Sequence, residues 1–439
     1  ATVGTPLIEN GSASVPAILT VNLAAGTNTY AGVLQDGGAA TLGLTKAGNG
    51  TLVLTGVNTF TGPAAVTGGV LQVGQGGVLS ASGTAVSAGA SLVFASASSV
   101  AYSGGITGAG TLIAQGGGSL TLSGNAAHSG GTTIASGQTM ALSGSGRLSG
   151  AGSISLAGTL SSGTDNTISA PISGAGALTV SAGTLVLSGA NSYAGSTTIA
   201  SGATLQVGAG STTGTLGSAA SLTDNGTLAI SRSVDYSFAT NVIGTGGLTV
   251  AMTSGAKLTL TGTNTYSGTT TVASGTLAVS NASAWSGSST LVLGGAGTTG
   301  TLDLNGSSKS FTSLATAGTA SAQTITNSST VTSTVTFAGS SSTFGGSLAD
   351  GSATKKVALV ISGGGTLQLA LTNAFTGGTT VTSGTAQLGA NNAFGTGSLT
   401  LGGNGTIGTL DLNGYNQSIG TFAVGAGGTA ANQVITNSS

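Results

Sequence analysis

Apolar and polar residues alternate along short stretches of this chain, most clearly at residues 258–279, LTLTGTNTYSGTTTVASGTLAV. Leu258 and Leu260 occupy alternate positions, a polar turn comes next, and the alternation resumes at Val272 and Leu277. Period-two alternation bounded by Gly, Asn and Ser is typical of half-buried strands, and Thr and Val favour a pleated strand over a helix. The pattern therefore predicts strand, turn, strand, turn and strand, with Leu260 and Val272 facing the core.

The same pattern occurs five times, and a repeat has to be recognised before any other inference about the fold. The other copies begin at Leu52, Leu120, Leu185 and Leu367. Each copy has an aromatic slot with a Gly two residues later, and four copies have an Asn two residues before the slot; Ala126 takes that place in the second copy. The slot residues are Phe60, His128, Tyr193, Tyr266 and Phe375, the glycines are Gly62, Gly130, Gly195, Gly268 and Gly377, and the asparagines are Asn58, Asn191, Asn264 and Asn373. We predict that each set occupies one equivalent structural position.

At these residues the chain resembles the autotransporter-associated β-strand repeat, which occurs in passenger regions of surface proteins of Gram-negative bacteria. The pattern of that family, G-x-G-T-L-x-L-x-G-x-N-x-Y-x-G-x-T-x-V-x-x-G-x-L-x-V, covers each copy, and looser relatives of it fill most of the remaining chain. The resemblance implies a parallel β-helix outside the cell, secreted or anchored to the outer membrane. It implies no catalytic residue, because the motif consists of strand, turn and packing positions.

We therefore predict an all-β protein, a right-handed parallel β-helix (β-solenoid) of roughly 20 coils with almost no helix. Three segments are expected: a capping segment at 1–29, a β-helix with four repeat copies at 30–290, and a continuation at 291–439 with the fifth copy. This last segment contains a duplication, because the sequence that begins at Leu291 recurs in similar form beginning at Leu399. Glycines are expected to supply corners with positive φ, which Asn also tolerates.

Composition excludes several classes of function. Seven basic and eight acidic residues give a net charge of −1, and no basic cluster exceeds Lys355-Lys356, so a nucleic-acid partner is not expected. No apolar run approaches the about 18 residues of a membrane-spanning helix, so this segment is not expected to cross a membrane. The chain has no cysteine, which excludes disulfides and thiolate metal sites. No cofactor is expected.

Few residues offer catalytic or ligand-binding chemistry, and we assign each of them a structural role. His128 is the single histidine, so it cannot belong to a multi-His metal site, and its place in the aromatic slot favours packing. Asp303 and Asp411 stand in the duplicated TLDLNG and would suit Ca²⁺, but each motif brings one carboxylate. A strand with a polar Asn-Gly turn after it explains them better. The segment Gly108-Ala-Gly110 imitates a phosphate loop, but no helix comes after it.

An enzyme that cleaves acidic polysaccharides needs a cluster of carboxylates, often with Arg or Lys. Asp224 and Asp235, near Arg232, are the acidic pair closest in sequence, and we interpret them as a charged, solvated patch. The polysaccharide-acting enzyme stays open as an alternative that requires three or more converging carboxylates. An ice-binding solenoid is a further alternative, which requires a Thr ladder on every coil.

The expected function is that of a non-catalytic extracellular rod, which serves as a stalk, an adhesin or a self-association module. Its partners would be further copies or receptors on cells and matrix, reached through flat faces rich in Thr and Ser. A head-to-tail filament is a related alternative. The chain stops at Ile435-Thr-Asn-Ser-Ser, and its start at Ile8 resembles the segment that begins at Ile325-Thr-Asn-Ser-Ser. Either the chain is a piece of a longer passenger, or the first coil of one copy continues the last coil of another.

Overall fold

A computed structural model describes residues 6–150, 152–218, 221–285, 289–318, 322–428 and 433–439. These residues form 48 strands and one 3-10 turn at Ala282–Ala284, and they contain no α-helix. The strands pair in parallel and stack as a β-solenoid of about 19 turns, counted over two compact units. The predicted all-β class and the β-solenoid fold are therefore confirmed.

The strands succeed one another at short intervals along the whole chain. The first sixteen are β1 Leu7–Asn10, β2 Ala17–Asn22, β3 Thr27–Tyr30, β4 Val33–Asp36, β5 Leu42–Ala47, β6 Thr51–Leu54, β7 Ala64–Val66, β8 Val70–Val73, β9 Gly83–Val86, β10 Ser91–Ala95, β11 Ser99–Tyr102, β12 Gly105–Thr107, β13 Thr111–Gln115, β14 Ser119–Leu122, β15 Asn125–Ala126 and β16 Thr132–Ile134. The next sixteen are β17 Thr139–Leu142, β18 Arg147–Leu148, β19 Ile154–Leu156, β20 Thr159–Ser162, β21 Asn166–Ile168, β22 Ile172–Ser173, β23 Ala177–Val180, β24 Thr184–Leu187, β25 Thr197–Ile199, β26 Thr204–Ser211, β27 Ser221–Asp224, β28 Thr227–Arg232, β29 Tyr236–Phe238, β30 Asn241–Ile243, β31 Gly247–Ala251 and β32 Lys257–Leu260. The last sixteen are β33 Thr270–Val279, β34 Ser289–Leu293, β35 Gly300–Asp303, β36 Lys309–Thr316, β37 Thr324–Thr326, β38 Ser333–Phe337, β39 Ser341–Phe344, β40 Ser347–Leu348, β41 Val357–Ile361, β42 Thr366–Leu369, β43 Thr379–Val381, β44 Gly384–Leu388, β45 Leu399–Leu401, β46 Gly408–Asp411, β47 Phe422–Val424 and β48 Val434–Thr436.

The first compact unit contains residues 1–209 and 213–222, and its coils are three-sided. The four coils from β9 to β20 each give one strand to each of three parallel sheets. These sheets run β2-β5-β7-β9-β12-β15-β18, β3-β6-β8-β10-β13-β16-β19-β22 and β11-β14-β17-β20-β23-β25. The core is a set of apolar stripes, such as Leu52, Leu71, Leu92 and Leu112, which pair with one another on successive coils and are all buried. Each coil therefore buries its leucines against its two neighbours.

The second compact unit contains residues 210–212 and 223–439. One sheet includes the run β32-β33-β35-β37-β40, and another is β39-β42-β44-β46-β48. Its clearest stripe joins Leu258, Leu277, Leu302, Ile325 and Leu348 through successive strand pairs, and all five are fully buried. Leu260 and Val272, which alternation predicted to face inward, are buried as well. The segment bounds at 29/30 and 290/291 stay a prediction.

Candidate functional site

The repeat corner, which we define as the Asn, the aromatic slot and the Gly of each copy, brings together all the residues that the repeat pattern singled out. Its four asparagines are buried, and each one bonds to three successive coils. Asn264 accepts a hydrogen bond from the Val242 amide (2.9 Å) and donates to the carbonyls of Gly262 (3.3 Å) and Ala284 (2.6 Å). The corresponding partners are Leu34, Gly56 and Val78 for Asn58; Ile172, Gly189 and Thr215 for Asn191; and Leu348, Leu371 and Ala393 for Asn373.

The side-chain amide of the Asn thus makes the hydrogen bonds that the main chain of a strand would make at this corner. It satisfies one main-chain donor on the coil before it and one acceptor on the coil after it, at a corner where the chain itself forms no ladder. In the copy with Ala126, a short strand, β15, runs through this place instead and pairs with β12 and β18. Main-chain bonds and the Asn side chain are therefore alternative ways to hold the same corner.

The aromatic slot is buried in all five copies, and its polar versions share one hydrogen bond. The hydroxyl of Tyr266 lies 2.7 Å from Thr270 Oγ1, and Tyr193 contacts Thr197 in the same way at 2.8 Å. His128 keeps this bond, because its Nε2 lies 3.0 Å from Thr132 Oγ1. Since a buried hydroxyl needs a partner, a Thr four residues after the slot explains how a Tyr is accommodated there.

The two copies with phenylalanine in the slot have no slot hydroxyl, and neither of them has a threonine hydroxyl bound to the slot residue. Four residues after Phe60 stands Ala64, which has no hydroxyl. Four residues after Phe375 stands Thr379, whose Oγ1 donates to the Phe394 carbonyl instead (3.2 Å). Burial raises the pKa of Tyr266, and it lowers the pKa of His128, so the histidine is neutral at pH 7 and fills the slot as an uncharged ring.

The Gly of the corner is required by the close approach of two coils, and none of the five has a positive φ. A Cβ at Gly268 would collide with the carbonyl oxygen of Gly246 on the preceding coil, and one at Gly130 would collide with that of Gly110. The expected positive-φ corners occur at other glycines, for example Gly108 (φ 95°). Gly108 and Gly110 therefore serve the turn and the coil contact.

Two aspartates that the repeat pattern did not single out brace the phenylalanine copies. Asp36 accepts hydrogen bonds from the amide of Leu42 (2.6 Å) and from the amide and hydroxyl of Thr61 (3.0 and 2.6 Å). Asp350 makes the same three contacts with Val357 and Thr376. Burial acts to raise the pKa of Asp36, but the bonds from Thr61 and Leu42 outweigh it and lower the pKa. An Asp-Gly pair in the stretch before both copies was the sequence signal for this brace.

Asp303 and Asp411 are satisfied by protein donors. The Oδ1 atom of Asp303 accepts from the amides of Asn305 (3.0 Å) and Ser328 (2.9 Å), and Asp411 Oδ1 accepts from the equivalent Asn413 (3.0 Å) and Ser438 (3.1 Å). The two asparagines have φ of 44° and 43°, so a left-handed turn residue stands two positions after each aspartate. Both carboxylates hold the turn and the next coil together.

The interpretation of Asp224 and Arg232 as part of a solvated patch is wrong. Both are buried, and only Asp235 is exposed. Asp224 Oδ1 accepts from the Gly226 amide (3.0 Å), and burial raises the pKa of its carboxyl to about 6. Arg232 donates to the Thr212 carbonyl (2.6 Å) and lies over the Tyr236 ring, 4.5 Å from its centroid. The alternation of the flanking strands places both residues in core positions, which proximity in sequence alone does not reveal.

Two lysines are buried as well, and each is held by main-chain carbonyls. Lys46 Nζ donates to Ala47 (2.8 Å), Gly48 (2.8 Å) and Gly68 (3.1 Å). Lys309 Nζ donates to Ala282 (2.7 Å) and Trp285 (3.2 Å), and burial lowers its pKa to about 8. These ammonium groups join neighbouring coils, as the asparagines do.

The ionisable groups of the described residues do not assemble into a metal site. Within those ranges, no group of three or more His, Cys, Asp and Glu side chains is placed to hold a metal ion. Over the same ranges, no helix has the length and apolar character that crossing a membrane requires. The polar chemistry that the structure shows lies in contacts between coils.

Comparison with known proteins supports the resemblance. A family model described as Passenger-associated-transport-repeat matches residues 44–73, 112–142, 180–207, 250–279 and 359–387, which coincide with the five copies. The chain is 42% identical over 86 residues to the Adhesin BmaC autotransporter of Brucella suis biovar 1 (strain 1330). That match covers 19% of this chain and 2% of the length of the adhesin. No solved structure matches. The chain therefore carries five passenger-associated transport repeats of the autotransporter-passenger type.

Proposed function

We propose that this chain is a non-catalytic structural segment of an autotransporter-type passenger, displayed at the cell surface or secreted, where it serves as an adhesive stalk. One observation carries the proposal: the repeat uses its polar side chains to bind coil to coil. Each corner Asn joins three coils, and the braces at Asp36 and Asp350 join two. Side chains engaged in this way stabilise a stack and are not free to act on a substrate.

The outer faces of the sheets supply the contact surface of this proposal. In the first unit, Ser99, Ser119, Thr139 and Thr159 form one column on successive coils. In the second unit, Thr276, Thr301, Thr324 and Ser347 form another. Strand spacing puts hydroxyls about 4.8 Å apart along such a column. The second column continues at one end to the exposed Lys257, which pairs with Thr276. Hydroxyl-bearing faces of this kind suit weak contacts repeated over many coils.

The proposal is tested with beads coated with the purified chain. Attachment to epithelial cells, to matrix proteins and to other coated beads is counted, with heat-unfolded chain as the control. We expect attachment to depend on the folded chain and to fall when Thr139 and Thr301 are replaced by Lys, because two charges interrupt the faces. Attachment that is equal for folded and unfolded chain would refute the adhesive role.

The absence of catalysis is tested separately. The chain is incubated with a panel of neutral and acidic polysaccharides, and new reducing ends or unsaturated products are measured. We expect none above the buffer background. Product formation that is lost on replacing Asp235 or Asp165, two exposed carboxylates, would establish the enzyme alternative instead.

A further inference from the structure

Asn-Gly pairs occur six times along the chain, at Asn10, Asn49, Asn225, Asn305, Asn404 and Asn413. In such a pair the main-chain nitrogen of the glycine can attack the side-chain amide carbon of the asparagine, because the glycine has no Cβ to hinder the approach. The attack requires that the glycine amide is free of any hydrogen bond and that the asparagine side chain can rotate toward it. The reactivity of each pair therefore depends on how the fold holds it.

The glycine amide donates a hydrogen bond in four of the six pairs. The acceptors are the Leu23 carbonyl for Gly50 (2.7 Å), Asp224 Oδ1 for Gly226 (3.0 Å), Asn327 Oδ1 for Gly306 (2.9 Å) and Asn437 Oδ1 for Gly414 (2.7 Å). Asn49 itself is exposed, and its side chain makes no hydrogen bond to the described residues. The bound amide of the buried Gly50 is therefore what protects Asn49 from attack.

The asparagine side chain is fixed in the fifth pair. Asn10 is buried, and its Nδ2 donates to the carbonyls of Val15 (2.9 Å) and Thr41 (3.0 Å). Its Oδ1 accepts from the Ser12 amide (3.1 Å). The amide carbon of Asn10 therefore cannot turn toward Gly11 unless these bonds break.

The sixth pair, Asn404-Gly405, is held in neither way. It forms the tip of a hairpin in which Gly403 and Thr406 make an antiparallel bridge. Both tip residues are exposed, and among the described residues neither the Asn404 side chain nor the Gly405 amide has a hydrogen-bond partner. Gly405 has a φ of 70°, and a Cβ there would meet nothing within 4 Å. The approach to the Gly405 nitrogen is therefore open.

A second hairpin of the same geometry carries Ala296-Gly297 at its tip. Its bridge joins Gly295 to Thr298, and Gly297 has a φ of 69°. In both hairpins a glutamine of the next coil accepts from one amide and donates to one carbonyl at the base. These bonds join Gln323 to Gly300 (2.6 Å) and Thr298 (3.0 Å), and Gln433 to Gly408 (2.8 Å) and Thr406 (3.2 Å). The two hairpins are thus a matched pair that differs at the first tip residue.

We propose that Asn404 is a site of spontaneous deamidation, with the main-chain nitrogen of Gly405 as the nucleophile. That nitrogen loses its proton and bonds to Asn404 Cγ, and Nδ2 of Asn404 leaves as ammonia, so that a succinimide ring forms. Water then opens the ring at either carbonyl, which gives aspartate or isoaspartate. The reaction consumes one water and releases one ammonia, and it requires no oxidant, reductant or cofactor.

The product places a carboxylate at a tip where the matched hairpin has a methyl group. Each conversion lowers the net charge of −1 by one unit. Because the tip is exposed and the glutamine bonds lie at the base of the hairpin, the coils stay stacked after the conversion. The surface charge of the chain thus changes with its age, whether or not the chain is adhesive.

The experiment keeps the full chain folded in water enriched in oxygen-18, at pH 6 and at pH 8, and follows all six pairs by peptide mass spectrometry. We expect Asn404 to convert at least about tenfold faster than Asn49, since only Asn49 requires a glycine hydrogen bond to break first. The conversion should be faster at pH 8, because the attacking nitrogen loses its proton, and both isomers should contain oxygen-18. In urea, where no bond protects any pair, the six should convert at similar rates.

Two variants at exposed positions separate the hairpin from the rest of the chain, and unchanged circular dichroism checks their folding. Asn404→Ala copies the matched hairpin and should remove this conversion alone. Ala296→Asn places the reactive pair on the matched hairpin and should convert there as fast as at Asn404.

Three results would overturn the proposal. In the first, Asn404 converts no faster than Asn49 in the folded chain. In the second, position 296 of the Ala296→Asn variant stays unconverted while Asn404 reacts, so that the hairpin tip is not the cause. In the third, aspartate forms without isoaspartate, which indicates direct hydrolysis by water and removes the role of Gly405. None of these results bears on the adhesive-stalk function.

Discussion

Asp224 should make the stability of the second unit depend on pH. Its carboxyl is fully buried, and it occupies the place that Leu156 takes in another coil. The equivalence is visible in the glycines: a Cβ at Gly246 would meet the Asp224 carboxylate, and a Cβ at Gly176 would meet the Leu156 side chain. A carboxyl group has therefore been placed in an apolar position.

The raised pKa of Asp224 determines how strongly the free energy of unfolding depends on pH. Burial raises the pKa of Asp224 from 3.8 to about 6, because desolvation disfavours the charged form more than the amide of Gly226 stabilises it. The folded chain thus binds this proton more tightly than the unfolded chain. The contribution is largest below pH 4, is lost between about pH 4 and pH 6, and stays lost above; a shift of two units corresponds to about 3 kcal/mol.

Two substitutions test this reasoning. Asp224→Asn keeps an acceptor for the Gly226 amide but cannot ionise, so it should abolish this loss of stability. Asp224→Leu copies Leu156 and should stabilise the second unit at pH 7. Urea unfolding at pH 4, 5, 6 and 7 gives the free energy, and hydrogen exchange localises the change near Gly246. Asp235→Asn, at an exposed carboxyl, is the control.

Either of two results would contradict a buried Asp224 carboxyl that binds its proton more tightly in the folded chain. The first is a difference in the free energy of unfolding between the wild-type chain and Asp224→Asn that stays constant from pH 4 to pH 7. The second is an Asp224→Leu variant that is less stable than the wild type at pH 7. Because other groups titrate in the same range, the quantity to compare is the difference between variant and wild type at each pH.

Three further substitutions test the repeat corner by urea unfolding. Asn264→Ala should cost about 3 kcal/mol, because three main-chain groups lose a buried partner; a cost as small as that of the exposed Asn225→Ala would contradict the bridging role. Gly130→Ala should cost about 2 kcal/mol or more, whereas its neighbour Gly131→Ala, whose Cβ would have an ordinary contact at 3.4 Å, should cost under about 1 kcal/mol; equal costs would contradict the close-approach argument. His128→Tyr should stabilise the first unit, most of all below about pH 6.5, because burial lowers the pKa of the histidine and acid therefore favours the unfolded chain; a variant no more stable than the wild type at pH 5 would speak against this.

The fold is predictable from sequence because its largest stabilising contribution is local and repeated. Alternation at Leu258 and Leu260 determines which face of a strand is buried, and the recurrence of the pattern determines that strands stack on copies of themselves. The same alternation, applied strictly, also places Lys46 inward after Leu42 and Leu44. It places Asp224 inward as well, two residues after Leu222, whereas the charge of Asp224 favours solvent; at this position periodicity is the stronger guide.

The chemistry of the corner is only partly predictable. The recurrence of Asn264 and Gly268 marks them as structural, but two different physical reasons can produce a spacing of this kind. One reason is that Asn and Gly both tolerate unusual backbone angles, but this reason does not apply to Asn264 or Gly268. Asn264 is needed for a side chain that replaces main-chain bonds, and Gly268 for the absence of a Cβ against the next coil. Which of the two reasons applies depends on contacts between coils, and the sequence of a single repeat does not show those contacts.

The buried polar corner also gives a stack of similar coils its register. A slip by one residue turns the leucines outward and is excluded by apolar burial. A slip by a whole coil keeps them inside, so apolar burial alone penalises it little. Such a slip would bring Asn264 against a coil that offers no free amide and no free carbonyl, at a cost of about 1–3 kcal/mol for each unsatisfied group. The corners also fall into two kinds, because aspartates brace the copies with Phe60 and Phe375, whereas Tyr193 and Tyr266 bind threonines. The leucine stripes therefore supply most of the stability, and the polar corners select which coil lies on which.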